Sequence, residues 1–556
     1  MASDYLKNHK RFWKNDEPTK IPKNKQIPIQ HSDCIKTFLK CIQDEGLRKA
    51  YNRYGYKPVE SKHPRSIIND IEDEKISDVI IVGAGMAGLS AAYELKKAGL
   101  SVKILEQTDR YGGRIFTYGE ESGLASGLYA EAGAMRLPGG VDDQYEKQHY
   151  LTDGYIKNFN LPIKCFPNYD ENVITSIYGL HENLKVKFWA EKHFDKFWPN
   201  WMDGINESLR KDILNIGKYY DETTSVVSDQ LYTWLSKANS VDDQVNAWDR
   251  WIKIWSRFTV ENFLESTINV IKAKVSIQEQ EDLDLIKLES LLPWSSDAVQ
   301  GFSVVFYAYD LDQSLEHYLS FPLGKWHSPE MHCLKGGMHS LPKAFFNSGI
   351  LNTDDIEYKK QVYEINYWFK DDCPLNDFVE VSCYSNSAAS IVYKGKAVIV
   401  ATPTNILRQI TFKSKLNNNK SQLATRKKIQ AMNHILTLHS SKIFLQTKTR
   451  FWEDEGIKGG FSITNLPIGQ VHYVTLEDPC TKEGLVMIYV WTKEALLFGS
   501  MEEEQVKRKV VEQLAEIHPT LKEDIVSNCI IHHWYRLPSY QGACGAMKTA
   551  QYGNIR

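Results

Sequence analysis

The chain contains 556 residues, of which 42% are hydrophobic and 25% are charged, and its formal net charge is −3. This composition is ordinary for a globular protein, and the length suffices for two or three domains. The small net charge gives no bulk attraction to nucleic acid or to an anionic membrane. The sequence also contains no apolar run long enough to span a bilayer.

The start of the chain and its cysteines bear on the cellular compartment. The first residues are polar and lack the apolar core of a secretory signal peptide. The nine cysteines include no C-x-x-C pair and no His/Cys cluster at zinc spacing. We therefore predict reduced thiols, no metal site and a cytoplasmic location.

Residues 1–72 are predicted to form an N-terminal extension. The segment is polar, rich in lysine and interrupted by prolines, and Cys34 to Ala50 could form one helix with an apolar face. Two interpretations stay open for it. One is an arm packed on the main domain, and the other is an inhibitory pro-segment that covers a functional site.

A strand, a helix and a second strand are predicted directly after this extension. Val79 to Val82 is a short β-branched run, which is typical of a buried parallel strand. Ala87 to Ala98 is rich in Ala and Leu and predicts a helix, and Val102 to Leu105 predicts the second strand. That strand ends on Glu106, at the place where a ribose-binding acid is expected.

The turn between the first strand and the helix carries a glycine motif. Gly83, Gly85 and Gly88 form G-x-G-x-x-G. The first glycine allows a tight turn, the second lets the backbone approach a pyrophosphate, and the third lets helix and strand pack closely. The N-terminus of the helix then points at the phosphates. Strand, glycines, helix, strand and acid in this order predict a dinucleotide-binding site.

A second glycine turn indicates which dinucleotide is bound. It lies in Arg110 to Arg114 (RYGGR), and a nicotinamide-binding unit does not need it. The turn resembles the signature of FAD-dependent amine and amino-acid oxidases, in which this segment lies along the FAD pyrophosphate. Glu131 to Pro138 (EAGAMRLP) resembles the L-amino acid oxidase branch of that superfamily. The resemblance extends, with gaps, from Asp78 to Asn554.

The resemblance implies an α/β fold with an FAD-binding Rossmann-like domain of the GR2 type, a mixed-sheet substrate domain and a helical insert. It predicts the following division: FAD segment 1 at 73–140, part of the substrate domain with the helical insert at 141–320, FAD segment 2 at 321–405, the substrate-binding domain at 406–533, and the start of FAD segment 3 at 534–556. In the insert, Trp248, Trp251, Trp255 and Phe258 recur at helical spacing, which is typical of a packed core. Asn246 to Phe263 is predicted to be helical.

FAD is the implied cofactor, and the resemblance assigns its contacts residue by residue. Val362 matches the position at which the backbone of relatives contacts adenine. The implied cofactor-binding residues are Gly83, Gly85, Ala87, Gly88, Glu106, Gly113, Arg114, Gly133, Ala134, Met135, Arg136 and Val362. Gly336 to Pro342 and Ala397 to Pro403 match FAD segment 2, and the latter (AVIVATP) is predicted to be a buried strand that ends in a turn.

Four residues are the candidates for substrate chemistry. Arg136 matches the family's carboxylate-binding arginine, whose planar fork suits a carboxylate. Tyr489 matches its phenolic partner, and Lys442 matches a lysine that relatives place near flavin N5. His317, in a Ser-Leu-x-His segment, is the candidate base because histidine titrates near neutrality. Nearby histidines at 327, 332 and 339 compete for that role, and each of the four candidates could instead be structural.

The predicted reaction is the oxidation of an L-amino acid by O2 and water to a 2-oxo acid, ammonia and H2O2. An amino-acid 2-monooxygenase, which forms an amide with loss of CO2, shares the same carboxylate site and stays open. A monoamine or polyamine oxidase has no carboxylate to bind, so Arg136 argues against it. A flavin-free binding protein or an inactive partial flavoprotein is the remaining alternative.

The last residues also lead to an expectation. The chain stops at Arg556, where relatives continue with a Phe-Ala-Gly-Glu turn and a Gly-Trp helix that cap the flavin. The resemblance therefore predicts a missing C-terminal segment or second chain. It also predicts weak FAD binding and little oxidase activity for residues 1–556 alone, and it leaves a homodimer open.

Overall fold

The structure is a computed structural model. It describes residues 76–139, 150–176, 184–185, 196, 198–306, 308, 311–323, 330–368, 378–384, 390–416, 419–421, 426–474, 481–521 and 526–546. The helix predicted between Cys34 and Ala50 lies outside these residues, as does the histidine at 327.

The strands are numbered in chain order. They are β1 (Ser77–Val82), β2 (Val102–Leu105), β3 (Thr117–Tyr118), β4 (Ala130–Glu131), β5 (Leu137–Pro138), β6 (Ile163–Pro167), β7 (Ile174–Ser176), β8 (Leu184–Lys185), β9 (Glu330–Leu334), β10 (Ile356–Glu357), β11 (Gln361–Trp368), β12 (Phe378–Tyr384), β13 (Ser390–Val400), β14 (Thr411–Leu416), β15 (Asn419–Ser421), β16 (Leu436–Leu438), β17 (Ser440–Thr447), β18 (Phe461–Thr464), β19 (Gln470–Tyr473), β20 (Gly484–Trp491), β21 (Val526–His533) and β22 (Cys544–Ala546).

The helices are numbered in the same way. They are α1 (Met86–Lys97), α2 (Tyr150–Asn158), α3 (Glu207–Lys237), α4 (Val241–Trp255), α5 (Val260–Glu265), α6 (Ile268–Lys274), α7 (Ile277–Gln280), α8 (Leu285–Leu291), α9 (Ser296–Val305), α10 (Leu315–Leu323), α11 (Ser340–Asn347), α12 (Thr404–Leu407), α13 (Arg426–His434), α14 (Thr492–Gly499) and α15 (Glu503–Ile517).

The first sheet is mixed and contains the predicted strand–helix–strand unit. Its strand order is β10-β2-β1-β13-β12-β11-β14-β15, with β1 parallel to both β2 and β13, and β12 antiparallel to its neighbours. Helix α1 begins one residue earlier than predicted and packs its buried side chains against the sheet. The Rossmann-like α/β fold predicted from the sequence is confirmed.

One strand of this sheet differs from its prediction. The segment Ala397 to Val400 lies at the end of β13, as expected, but it is not buried on both faces. Ile399 is 36% exposed, whereas Ile81, its partner in the register, is fully buried beneath α1. The apolar run predicted a buried strand, but Ala397 and Ile399 are exposed, because the described helices that cover β1 do not extend over this face of β13.

The second sheet is the predicted mixed sheet of the substrate domain. Its order is β21-β17-β20-β19-β18-β7-β8, and its pairings are antiparallel except that β18 is parallel to β7. Ile443, Leu445 and Ile488 point from one face into the core formed with the helices. Phe444 and Met487 point from the opposite face and pack against Leu124, Leu128, Ala130 and Met135. The sheet therefore separates the helices from the segment at 124–135.

The helical insert contains α3 to α10. Trp251, Trp255 and Phe258 are fully buried in its core, as the stripe predicted, while Trp248 is only partly buried. The helix predicted from Asn246 to Phe263 is two helices, α4 and α5. The chain breaks between them because the Thr259 hydroxyl accepts the Asn262 N–H at 2.9 Å and caps the start of α5.

Short strands connect the two large sheets. Strand β9 lies between β5 and β6 in a three-stranded sheet, and β3 pairs with β4 in a ribbon. Both large sheets contribute residues to the region described next. Across the residues that the structure covers, no helix combines the length and apolarity that a bilayer crossing would need. The division of the chain into six segments stays a prediction.

Candidate active site

The first glycine turn has the close packing that its motif predicts. Gly83 has a φ of +104°, and a Cβ there would lie 3.0 Å from the Ala401 carbonyl oxygen. A Cβ on Gly88 would lie only 1.9 Å from the Gly83 carbonyl oxygen. Both positions therefore require glycine, for backbone conformation in one case and for helix–strand contact in the other.

The N-terminus of α1 fits a pyrophosphate. No side chain caps this end of the helix, and its first turn contains no acidic residue. A Cβ on Gly85 would meet only the Gly113 Cα, at 3.8 Å, so the space in front of the turn is not filled by the protein on that side. Free backbone N–H groups at a helix N-terminus favour an anion. Ala87 lies in this first turn.

Glu106 stabilises the loop where a ribose would bind. Its Oε2 accepts the Ala84 N–H at 2.7 Å, and its Oε1 accepts the N–H and the hydroxyl of Thr108 at 2.9 and 2.8 Å. Its carbonyl accepts the Lys360 N–H at 2.8 Å. Val362 lies two residues after Lys360, at the start of β11, and packs in the same apolar cluster as Leu105, so the predicted adenine contact lies near the predicted ribose acid.

The second glycine turn packs directly against the first. The Gly112 N–H donates to the Ala84 carbonyl at 2.9 Å, and a Cβ on Gly113 would lie 3.0 Å from the Gly85 Cα. The Arg110 guanidinium carbon lies 4.5 Å from the centroid of the Phe116 ring and stabilises this turn. The two glycine turns together form a backbone-lined cradle of the kind that a pyrophosphate needs.

The segment Glu131 to Arg136 continues from this cradle toward the substrate domain. A Cβ on Gly133 would lie 1.8 Å from the Arg114 carbonyl oxygen, and the same oxygen accepts the Ala134 N–H at 3.3 Å. Arg114 itself donates from Nη1 to the Ala543 carbonyl at 2.6 Å. The predicted cofactor-binding positions at 133–135 are therefore held against the RYGGR turn.

Lys442 connects this segment to the second sheet. Its Nζ donates to the carbonyls of Glu131 and Gly133 at 2.8 and 2.7 Å, and it lies 3.6 Å from the Met135 Sδ. Its exposed fraction is 2%. Lys442 stands directly opposite Tyr489, and its Nζ is 4.7 Å from the centroid of that ring. Two of the predicted substrate-site residues thus lie side by side.

A cross-strand row extends the site over four strands. It consists of Gln470, Tyr489, Lys442 and His532, each opposite the next in the registers of β19, β20, β17 and β21. Directly opposite residues of antiparallel strands point to the same face of a sheet. The row therefore faces the glycine-rich segments, and the structure places Lys442 at its centre.

Lys442 has an electrostatic partner that the sequence reasoning missed. Burial lowers the pKa of Lys442 to about 7, and the charge of Arg136 acts in the same direction, while Glu131 opposes it. Burial likewise raises the pKa of Glu131 to about 7. The Glu131 carboxylate accepts the Met338 N–H at 2.6 Å and the Thr117 hydroxyl at 2.8 Å. The two groups are therefore coupled, and the charge of each opposes the shift that burial imposes on the pKa of the other.

Arg136 lies in the same region as this pair. Its Nη1 donates to the amide oxygen of the buried Asn168, and its guanidinium carbon lies 5.5 Å from the centroid of the Phe166 ring. Burial raises the pKa of Tyr489 above its ordinary value, and the charge of Arg136 acts in the opposite direction. Tyr489 is therefore a neutral phenol at working pH, and the charge of Arg136 acts on its pKa.

His317 is the remaining candidate for the chemistry. It lies on α10, in the helical insert, where its N–H donates to the Glu316 carboxylate at 2.7 Å and its carbonyl accepts the Ser320 hydroxyl at 2.6 Å. These described contacts stay within its own helix and do not join it to Lys442. Its role as the base stays a prediction. Of its competitors, His332 is buried between the Gly139 carbonyl and Asp153, as a structural residue would be.

His472 is, after His532, a second imidazole that the structure places beside the other candidates. It is buried on β19, and its ring centroid is 6.1 Å from that of Tyr489. Burial lowers its pKa well below the ordinary value, and the charges of Arg136 and Lys442 act in the same direction. It is therefore neutral at working pH. Its position depends on the pairing of β19 with β20, for which the sequence carries no local signal.

Taken together, the two glycine turns and the basic side chains of Lys442 and Arg136 beside them are those expected of a dinucleotide-dependent oxidoreductase. The chain belongs to the flavin containing amine oxidoreductase family, whose model matches residues 86–554. FAD is accordingly its cofactor, and the oxidation of amines or amino acids is its general chemistry. The family and the cofactor predicted from the sequence are confirmed.

Similar proteins include several L-amino acid oxidases. The chain is 27% identical to the L-amino acid oxidase of Bothrops pictus over 465 residues, which cover 82% of this chain and 77% of that protein. It is 28% identical to the L-amino-acid oxidase of Demansia vestigiata over 461 residues, which cover 82% and 73% of the two chains.

Solved structures of amine oxidases share the fold. Cyclohexylamine oxidase from Brevibacterium oxydans matches with a TM-score of 0.55 at 15% identity, over 86% of this chain and 90% of that chain. A double mutant of putrescine oxidase matches with a TM-score of 0.51 at 18% identity, over 86% and 89% of the two chains. These likenesses concern the architecture; the roles of individual site residues stay proposals.

Proposed function

We propose that the protein is an FAD-dependent oxidase that converts an L-amino acid, O2 and water into a 2-oxo acid, ammonia and H2O2. The observation that carries the proposal is the convergence of Arg136, Tyr489 and Lys442 beside the glycine-rich segment at 131–135. A carboxylate-binding arginine in this place distinguishes an amino acid from a simple amine as substrate. The similarity to L-amino acid oxidases supports the same choice.

Arg136 and Tyr489 hold the substrate carboxylate in this proposal. The guanidinium offers parallel N–H donors that match two carboxylate oxygens. Tyr489 retains its phenolic proton because burial raises its pKa, so it can donate another hydrogen bond. Binding the substrate by its carboxylate would orient the Cα–H bond toward the cofactor. Holding the reacting groups in this geometry contributes to catalysis.

The bound FAD would supply the redox chemistry, accepting a hydride from the substrate Cα and passing the electrons to O2. The residues fit this group because the glycine cradle and the uncapped end of α1 leave room and N–H donors for its pyrophosphate. Gly83, Gly85, Ala87 and Gly88 would hold the pyrophosphate. Arg114, Gly113 and the segment Gly133 to Arg136 would continue along the cofactor, and Glu106 and Val362 would hold its adenosine end.

Two groups of the chain would manage protons and charge. His317 is the proposed acceptor of a proton from the substrate ammonium, which must be neutral when hydride leaves Cα. Lys442 would present its ammonium where negative charge develops on oxygen during O2 reduction. Because its pKa is about 7, a substantial part of Lys442 is charged at neutral pH.

A substrate screen tests the proposal. The FAD-loaded protein is supplied with each of the twenty L-amino acids, with peroxide release as the measurement, and with putrescine and cyclohexylamine as substrates that lack a carboxylate. We expect turnover of at least one amino acid and none of the amines. Products then separate the outcomes, since a 2-monooxygenase yields an amide and CO2 instead of a 2-oxo acid, ammonia and peroxide. Turnover of the amines alone would refute the proposal.

A further inference from the structure

A buried asparagine contacts the proposed carboxylate-binding arginine. Asn168 has an exposed fraction of 1%, and its amide oxygen accepts a hydrogen bond from Nη1 of Arg136. The Phe166 ring lies 5.5 Å from the guanidinium carbon. Asn168 thus contacts one nitrogen of the guanidinium, and Phe166, two residues earlier in the sequence, lies near the guanidinium carbon.

The backbone that presents Asn168 is held from two sides. Asn168 directly follows β6, which pairs with β9, and β9 pairs on its other edge with β5, the strand that directly follows Arg136. From the substrate domain, the Gly460 N–H donates to the Pro167 carbonyl at 3.2 Å. Gly460 has a φ of +72°, and a Cβ there would lie 2.8 Å from the Asp170 nitrogen. The two loops therefore pack backbone to backbone, which fixes the amide in place.

The choice of an amide matters for the charge of Arg136. A carboxylate at this position would form a charge-assisted pair with the guanidinium and compete with a carboxylate ligand for the same donors. An amide oxygen accepts a hydrogen bond and orients the group without neutralising it. Precise ligand binding needs neighbouring residues that hold the ligand-binding side chain in one orientation through hydrogen bonds.

We propose that Asn168 is a positioning residue for substrate binding: its amide oxygen holds the Arg136 guanidinium in one orientation and, being uncharged, does not itself neutralise that group. The inference rests on the proposed function, in which Arg136 binds that carboxylate. Asn168 itself touches Arg136 and is assigned no contact with the substrate.

The test uses the FAD-loaded full chain and a monocarboxylate probe, benzoate. Binding is measured by calorimetry, independently of turnover, in the wild type, N168D and N168L. We expect N168D to weaken benzoate binding about tenfold or more, because a charge-assisted partner now occupies the guanidinium. N168L, similar in size but without the acceptor, should weaken binding less. In turnover, KM for the amino acid should rise in both variants by more than kcat falls, which a general loss of structure would not produce.

Asn172 offers a matched control in the same segment. Its Nδ2 donates to the Gly456 carbonyl at 3.0 Å and its Oδ1 accepts from the Lys185 Nζ at 2.9 Å, so N172D makes the same substitution four residues further on and keeps the acceptor for Lys185. We expect N172D to bind benzoate as the wild type does. Equal weakening in N172D and N168D would show a general effect on the loop and overturn the inference.

The remaining outcomes are also decisive. If N168D retains no FAD, N168L decides, and benzoate binding by N168L at the wild-type affinity would overturn the inference. R136A separates this inference from the proposed function. If R136A weakens benzoate binding while N168D and N168L do not, Arg136 is the carboxylate site and Asn168 does not position it. If R136A also binds benzoate normally, the proposed function fails first.

Discussion

The proposed choice of an amino acid as substrate depends mainly on one side chain, Arg136. Its charge acts on the pKa values of Tyr489, Lys442 and His472. We predict that R136A loses about 2–5 kcal/mol of transition-state binding, because a charged bidentate partner is removed. The measurement is kcat/KM for the best amino acid. R136K is the control and should rescue poorly, since an ammonium lacks the planar fork. Near wild-type turnover by R136A would refute its assignment.

Lys442 leads to a prediction about pH. Burial lowers its pKa to about 7, so its charge is present below that pH and is lost as the pH rises through it. If this charge assists O2 reduction, reoxidation of the reduced protein should slow as the pH rises through about 7. K442M should be about 100-fold slower at low pH and should lack this inflection. Rapid mixing of the reduced protein with O2 measures it. An inflection that persists in K442M would assign it to another group, with Glu131 the first candidate.

His317 remains a predicted base that the described contacts neither join to the pocket nor exclude from the mechanism. H317A should lower activity about 100-fold at low pH, where more of the substrate amine is protonated, and less at high pH. The measurement is the pH profile of kcat/KM. If the profile keeps its shape and height, His317 is structural, and His472 is the next imidazole to test because it lies beside Tyr489.

At the scale of elements, the glycines of the first turn have separable roles. A Cβ on Gly88 meets the Gly83 carbonyl at 1.9 Å, so G88A must push α1 away from β1 and lower the melting temperature of the apo-protein. A Cβ on Gly85 meets only the Gly113 Cα, at 3.8 Å, so G85A should fold normally. Its methyl group would instead occupy the space where a pyrophosphate approaches, and FAD affinity should fall.

Melting of the apo-proteins and titration with FAD measure the two effects separately. Gly204 provides the control, because a Cβ there has no atom within 4 Å, so G204A should change neither quantity. FAD affinity unchanged in G85A would mean that the pyrophosphate does not approach this turn. A normal melting temperature for G88A would mean that α1 can shift without cost.

At the scale of the whole molecule, we predict that FAD is held without a covalent bond. The glycine cradle, the N-terminus of α1 and Arg114 supply contacts of the kind that hold a dinucleotide reversibly. Denaturing the loaded protein in acid should release free flavin into the supernatant, which absorption measures. Flavin that stays with the precipitated polypeptide would refute this prediction. A purified protein with no flavin spectrum after FAD loading would instead favour the flavin-free alternative.

Local chemistry allowed the dinucleotide unit to be predicted from the sequence. Gly83 to Gly88 spans only one turn and the first residues of one helix. The roles of these glycines therefore follow from the backbone geometry of a few neighbouring residues. The same holds for the strands on either side, whose apolar runs are short and strongly β-branched. Two predictions that depended on the surrounding structure were wrong: the strand from Ala397 to Val400 is not buried, since Ala397 and Ile399 are exposed, and the helix from Asn246 to Phe263 is broken at Thr259.

The amino-acid sequence by itself determined the class of the protein: a dinucleotide-binding α/β unit, its flavin family and the arginine proposed to bind a carboxylate. Only the tertiary structure decided what surrounds that arginine. Asn168, Lys442 and His472 come from different segments, and they meet Arg136 through the pairing of strands that are far apart in the chain. Their pKa values and hydrogen bonds arise from burial and from charges across that space, which no local pattern of residues encodes.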